Sequence, residues 1–364
     1  VALLNRRHPW RFARSLHMLA HHSHHLHALT PSADLPTLSS GWRRLSLAVT
    51  VVVACSTLSA CGTRFWAKTK TAAPAPAVAA DAGKPAPSST APSFQGGGAP
   101  YKEELVALTA DQQLVRFVAS YPARLTLRQR LTGLPDGDAV ADIDYRVARG
   151  VLYGITQQGR VVTIDPWTAK VTVVSTSLPA VSWGGQRVGM DFNPSVDRIR
   201  VVSAGGMNLR LHPDTGAVID SQPQEPGLQT DKPLAYVSGD PNAGKAPEVT
   251  AVAYTYNKDN EKITTLFGID RTQGVLVRHG SVEGVQPFVS PDSGRLSTVG
   301  ALGLGKLLDV TFDISDLRYL GLAAVRTQAE PRSVLVDVNL QTGAATALGV
   351  IGDGEPVIGL AIVP

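Results

Sequence analysis

Apolar residues come in short, β-branched runs from about residue 105 onward, and the runs recur in sets. Val140-Ala141-Asp142-Ile143-Asp144-Tyr145 is followed by Val151-Leu152-Tyr153-Gly154-Ile155, then by Gly159 to Ile164 and Val171 to Val174. A second set opens with Val188-Gly189-Met190-Asp191-Phe192 and continues through Arg198 to Val202 and Leu209-Arg210-Leu211. A third spans Val249 to Val299, with Ala251 to Tyr254, Thr265 to Ile269 and Val275 to Val277 as strands. A fourth runs from Leu308 to Phe312, through Val334 to Val338, to Ala345 to Leu348. Val, Ile, Thr and aromatic enrichment at this spacing predicts strands rather than helices. Self-similarity at roughly 40–50 residues is the mark of propellers and related arrays.

The two ends of the chain share one more set. Val357 to Val363 matches the first strand of a unit, and Leu105-Val106-Ala107-Leu108-Thr109 matches the second. A unit split in this way closes a ring, because the last strand pairs with the first ones and removes exposed sheet edges. Turn chemistry repeats with the strands. Asp165-Pro166-Trp167-Thr168-Ala169, His212-Pro213-Asp214-Thr215-Gly216 and Asn339-Leu340-Gln341-Thr342-Gly343 occupy like places, with Pro presetting φ in two and Gly able to take the closing positive φ in two. The expectation is an all-β domain over 101–364, a β-propeller of five blades whose C-terminal strand closes the first. Residues 221–248, rich in Pro, Gln and Gly, leave room for a degenerate sixth blade but read more like a loop insertion.

The segment before the repeats is of another kind. Arg43-Arg44 precedes an apolar run from Leu45 to Ala54 and then Leu58-Ser59-Ala60-Cys61. A basic stretch, a short apolar core and small residues before a cut site make a secretory signal. The Leu-Ser-Ala-Cys order resembles a bacterial lipobox, in which the Cys61 thiol is diacylated and the peptide is cut before it. A plain signal peptide is the alternative, and the run is too short for a membrane span. Residues 1–60 are thus read as leader, with 1–42 an over-extended gene start and translation beginning later, for instance at Met18. The tract His21-His22-Ser23-His24-His25 has metal-binding composition, but falls in that segment. Residues 61–100, with alternating Ala and Pro at 73–77 and Gly96-Gly97-Gly98, are read as a tether extended at about 3 Å per residue.

Removing the leader changes the charge. Residues 1–60 carry six Arg and only Asp34, so the remaining chain holds 28 basic and 29 acidic residues, a net of −1 from a total of +4. No basic stripe with interleaved aromatics remains, which argues against a nucleic-acid partner. Cys61 is then the only cysteine, and its lipidation excludes a disulfide or a Cys-ligated metal. Stability must come from the core, which about 260 residues can supply. The expected location is the extracytoplasmic side of a bacterial cell envelope, with the lipid on Cys61 in the membrane.

Strong catalytic motifs are absent from the sequence: no Gly-x-Ser-x-Gly elbow, no His-Glu-x-x-His, no phosphate-binding loop. Nothing calls for a cofactor, and no residue is assigned as catalytic. Only His212 and His279 occur in 101–364, too few for a His-led site. Asp144, Asp191 and Asp313 each end the first strand of a unit, with Thr255 expected at the matching place of the third. First strands line a propeller's axis, so these carboxylates should ring one mouth of the channel, ready for a cation or a polyhydroxy ligand. The plainer reading is that each accepts backbone N–H bonds at its own turn. Arg198 and Arg200 share a face by alternation, and Asn208, Arg210 and His212 form a similar row. Such Arg residues buried between blades need partners, with Asp191 or Asp144 the expected ones and an anion or acidic-sugar site the alternative. Asp240 and Asn242, in Asp240-Pro241-Asn242-Ala243-Gly244, have part of the oxygen spacing of a calcium loop and lack the rest.

The stretch from Met190-Asp191-Phe192-Asn193-Pro194-Ser195-Val196-Asp197-Arg198-Ile199-Arg200-Val201-Val202-Ser203 to Asn208-Leu209-Arg210-Leu211-His212-Pro213-Asp214-Thr215-Gly216-Ala217 resembles the bacterial family called domain of unknown function 4394. Further matches are Leu105 to Thr109, Gly239 to Gly244 and Gly359 to Ile362, so nearly all of 101–364 is covered. The resemblance implies a secreted or surface domain and brings no established activity or ligand. One departure is Ala169-Lys170, where the repeat's Thr-Gly would sit, which should tighten or strain that turn. Two functions stay open: a binding or scaffolding domain for an envelope glycan, protein or small molecule, and an extracellular hydrolase of carbohydrate or ester using axial carboxylates. Carboxylates facing backbone N–H groups would favour the first, and two converging in a pocket with one pKa raised the second.

Overall fold

The structure, a computed structural model, describes residues 101–174 and 183–364. The chain divides into two units, 1–82 and 83–364, and every described residue belongs to the second. The leader, the His-rich tract, Cys61 and the tether lie outside the described residues.

The chain enters as β1 (Glu104–Thr109), β2 (Gln113–Val118) and β3 (Leu127–Arg130). The first internal blade follows as β4 (Val140–Arg146), β5 (Val151–Thr156), β6 (Val161–Ile164) and β7 (Val171–Val173). The second is β8 (Val188–Asn193), β9 (Arg198–Ser203) and β10 (Asn208–Leu211), with a single bridge from Leu211 to Val218 standing where a fourth strand would be. The third begins with the two-residue β11 (Ala235–Tyr236), then β12 (Val249–Tyr254), β13 (Leu266–Asp270), β14 (Val275–His279) and β15 (Arg295–Ala301). The fourth is β16 (Leu307–Ile314), β17 (Gly321–Thr327), β18 (Val334–Val338) and β19 (Ala345–Val350). Finally β20 (Val357–Ile362) returns to pair antiparallel with β1, Leu105 opposite Ile362 and Leu108 opposite Gly359.

This is a five-bladed β-propeller, closed by its C-terminal strand as the split repeat predicts. Each junction between neighbouring blades has its own apolar core, five in all. Alternation along β1 serves two of them at once. Leu105 and Ala107 face Leu322, Leu335 and Leu360, while Val106 and Leu108 face Ile143, Leu152 and Val162. Ring closure is thus written into a period of two. Residues 221–248 form no blade; they contribute β11, which lies parallel on the edge of β15.

The predicted turns form as read. Ala169, Gly216 and Gly343 donate their N–H to the carbonyls of Asp165, His212 and Asn339 at 2.9, 2.8 and 2.8 Å. Asp165 and Asn339 also accept two N–H bonds each inside the loop. Ala169 takes the left-handed place that Gly holds in the others, at φ 56°, which is the strain its departure from the repeat implies.

At the axis the inner strands β20, β4, β8, β12 and β16 pack in a ring. Their approach is close. A Cβ on Gly189 would stand 2.8 Å from Ala251 Cα, and one on Gly359 would stand 2.9 Å from Asp142 Oδ1. Only glycine fits at these two steps.

Candidate functional site

Asp144, Asp191 and Asp313 sit near the ends of β4, β8 and β16, and all three are buried. The structure brings one oxygen of each within 4.8 Å of the others. Strand alternation turns each carboxylate toward the next blade, where it accepts a backbone N–H. Phe192 donates to Asp144 at 2.8 Å, Tyr254 to Asp191 at 2.9 Å, and Ile362 to Asp313 at 2.6 Å. Asp144 and Asp313 also accept from the residue that follows them, Tyr145 and Ile314. Asp142, one step lower on β4, repeats the pattern with Met190 and Ile143. The expected caps of their own turns are not formed among the described residues: Asp144 and Asp313 bond N–H groups within their own strands, and each of the three carboxylates clips one inner strand to the next. By this register the residues before Tyr254 and Ile362 are Ala253 and Ala361, so Ala253 holds the matching place in the third blade. Thr255 lies two residues further and hydrogen-bonds Glu283 and Thr265 instead.

Burial raises the pKa of the whole group. Asp142 and Asp144 are pushed up to about 8, and Asp191 and Asp313 well above the carboxylate range, with mutual repulsion adding to the last two. Asp316, beside them, is pushed up to about 6 by burial. Three carboxylates this close cannot all stay ionised without a partner. The arrangement can share protons, or it can hold a cation, since oxygens 4.8 Å apart can both reach a Ca²⁺ at its usual distance of about 2.4 Å. Such an ion would need further oxygens from water.

The arginines assemble elsewhere, between the second and third internal blades. Arg200 is buried and bonds Asp231, Asp292, Asn208 and the hydroxyl of Tyr254. Arg210 holds Asp231 with two N–H bonds at 2.9 and 2.7 Å. The expected partners, Asp191 and Asp144, do not take part. Asp231 comes from an irregular segment and Asp292 from a one-turn 3-10 helix, Pro291–Ser293, where no strand period could mark them. Arg198 bonds the carbonyls of its own turn, at Asp197 and Val196, and does not join Arg200. His212 caps its own loop by accepting from Asp214 N–H.

Asp240 and Asn242 form a brace rather than a calcium loop. Asp240 accepts from Asn242 N–H and from both the N–H and hydroxyl of Thr298, while the Lys245 ammonium donates to Asn242 Oδ1. An ammonium stands where a calcium loop offers oxygen to the ion.

Above the arginine cluster opens a cleft of about 510 Å³, walled by loops at the mouth where β8 and β12 end. Val196, Ile263, Val285 and Phe288 face it, and Arg200, Arg210, Tyr254 and Asp292 line its floor. Sequence reasoning missed it because its walls come from three separate loops. A second cleft of about 240 Å³ lies over Arg146, whose guanidinium is held by Asp197, Asp214 and Tyr153. The axial carboxylates line neither.

A family model described as "Domain of unknown function (DUF4394)" matches residues 113–361. No curated protein matches the chain. Among solved structures, a structural genomics protein of unknown function from Bacteroides thetaiotaomicron is 10% identical, with TM-score 0.40, over 73% of this chain and 68% of that one. TolB from Acinetobacter baumannii is 9% identical, with TM-score 0.37, over 72% and 67%. YCF48 from Cyanidioschyzon merolae is 11% identical, with TM-score 0.34, over 68% and 71%.

Proposed function

The chain belongs to the DUF4394 family, and from that premise we propose that it is a lipid-anchored, extracytoplasmic propeller that binds or scaffolds rather than hydrolyses. The observation that carries this reading is the use made of the axial carboxylates. Hydrolysis of a glycoside needs two carboxyls flanking a substrate, one to protonate the leaving oxygen and one to attack or to activate water. Here Asp144, Asp191 and Asp313 face backbone N–H groups of adjacent blades, lie buried, and line neither cleft described above. Their chemistry supports holding the ring together. The loops at the mouth, which carry apolar and polar side chains outward, are the part free to contact a partner.

The anchor is supported by the order Arg43-Arg44, apolar run, Leu58-Ser59-Ala60-Cys61. Growth with an alkyne palmitate analogue should label the wild-type chain and leave Cys61→Ser unlabelled and released from the membrane fraction. Equal labelling of both chains would sink the anchor. The binding reading is tested separately, by incubating the detergent-solubilised full chain with chromogenic glycosides and esters. No turnover is expected, and turnover lost in Asp191→Asn would restore the hydrolase.

A further inference from the structure

We propose that the cleft between the second and third internal blades is a binding site for an uncharged glycan. This deepens the binding reading above and rests on it. Three loops converge on the cleft: the β8–β9 turn with Ser195 and Val196, the loop after β12 with Lys262 and Ile263, and the long β14–β15 connection with Val285 and Phe288. Large apolar side chains are exposed here, Phe288 at 58%, Val196 at 55% and Val285 at 49%. A sugar ring presents a C–H face that needs such an apolar plate. It also presents hydroxyl pairs that each donate and accept, and the floor supplies both functions side by side.

Arg210 and Asp292 form a pair at 3.3 Å and stay partly exposed. Asp231 takes two of the five N–H donors of Arg210, which leaves others for a ligand oxygen. Ser195 lines the cleft, and its Oγ is buried without a hydrogen-bond partner among the described residues.

Charge decides the class of sugar. The cleft is lined by the cations Arg200, Arg210 and Lys262 and by the carboxylates Glu283 and Asp292, with Asp231 closing on both arginines from behind. Cations and carboxylates balance, so a uronic acid or phosphate would meet as much repulsion as attraction. The anion or acidic-sugar reading of the arginine row is thus replaced by a neutral ligand. A cavity of about 510 Å³ falls inside the roughly 300–1,000 Å³ range of small-ligand sites. Its walls are side chains on loops, which disfavours a peptide docking by strand addition.

The test uses the detergent-solubilised full chain and calorimetric titration with cellohexaose, maltohexaose, chitohexaose, a polygalacturonate fragment and a set of apolar peptides. At least one neutral oligosaccharide should bind. Phe288→Ala should weaken it about tenfold or more, the loss of one aromatic contact. Leu317→Ala, which removes an equally exposed side chain from another loop and not from this cleft, should bind as the wild type does. Preference for polygalacturonate, binding of peptides alone, no binding of any neutral sugar, or indifference to Phe288→Ala would each overturn the inference while leaving a binding domain in place. Cleavage of a bound sugar would instead overturn the binding reading itself.

Discussion

At the scale of the residue, the axial aspartates make stability depend on pH in an unusual direction. A carboxyl whose folded pKa lies above its unfolded value of about 3.9 keeps its proton in the folded state while the unfolded chain has lost it. Stability from such a group is full below pH 4 and falls as pH rises toward about 8, the value to which Asp142 and Asp144 are pushed. Chelator-treated protein should therefore lose at least about 1 kcal/mol, or about 2–4 °C in Tm, between pH 5 and pH 9. Asp191→Asn, which keeps an acceptor for Tyr254 N–H and removes one charge from the cluster, should flatten that slope in thermal melts. An unchanged slope would mean that the cluster does not set it. His279 pulls the other way. It is fully buried, neither ring nitrogen has a hydrogen-bond partner among the described residues, and burial with Arg200 nearby pushes its pKa down to about 3. The unfolded chain takes up a proton below about 6.5 and the folded one does not, so stability falls from pH 6.5 toward 3. His279→Leu should melt with less loss over that window. The ring has room only because residue 268 is glycine, whose Cβ would lie 2.8 Å from His279 Nε2.

At the scale of the element, what was legible in the sequence is what repeats with a period. Inner and second strands announce themselves through Val, Ile and alternation, and the outer turns through Pro and Gly. β17 escaped because Gly321 and Ala323-Ala324 dilute the pattern, and β3 because Leu127-Arg128-Gln129-Arg130 is mostly polar at an exposed edge. The axial aspartates were legible, since all three sit at one register of like strands. Their function as clips between blades was not, because the donors are backbone groups 48 to 63 residues away. The cleft was least legible of all: loop side chains meet there without any repeat to align them. Where strands do repeat, the prediction is sharp. Gly189→Ala should cost about 1–3 kcal/mol, because its methyl would stand 2.8 Å from Ala251 Cα and from the Thr250 carbonyl oxygen, and neither backbone atom can yield. Gly137→Ala makes a poor control because its φ is 74°, whereas Val196→Ala changes an exposed turn residue and should leave the melt unmoved. Equal melting of Gly189→Ala and wild type would mean the inner strands have more space than this packing allows.

At the scale of the molecule, the ring is held closed by one strand, and that makes its stability testable in a single cut. β20 hydrogen-bonds along β1 and packs on β4 and β16, so it touches three blades. Val357, Leu360 and Ile362 are buried in the core toward the fourth blade, Ala361 lies in the core toward the first internal blade, and Ile362 N–H is the partner of Asp313. Burying each of the first three side chains contributes roughly 1.5–3 kcal/mol. Removing all three takes away an amount comparable with the whole stability of an ordinary domain, about 5–15 kcal/mol. It also leaves β1 as an open inner edge, a template for pairing with another chain. A chain ending at Glu355 should accordingly be insoluble, or compact without a cooperative melt, while a chain ending at Val363 loses only exposed Pro364 and should melt like the full length. A soluble, cooperatively melting Glu355 product would mean that the four internal blades close without the split one. The five junction cores argue otherwise, because two of the five draw residues from β20 and would be left with an open side.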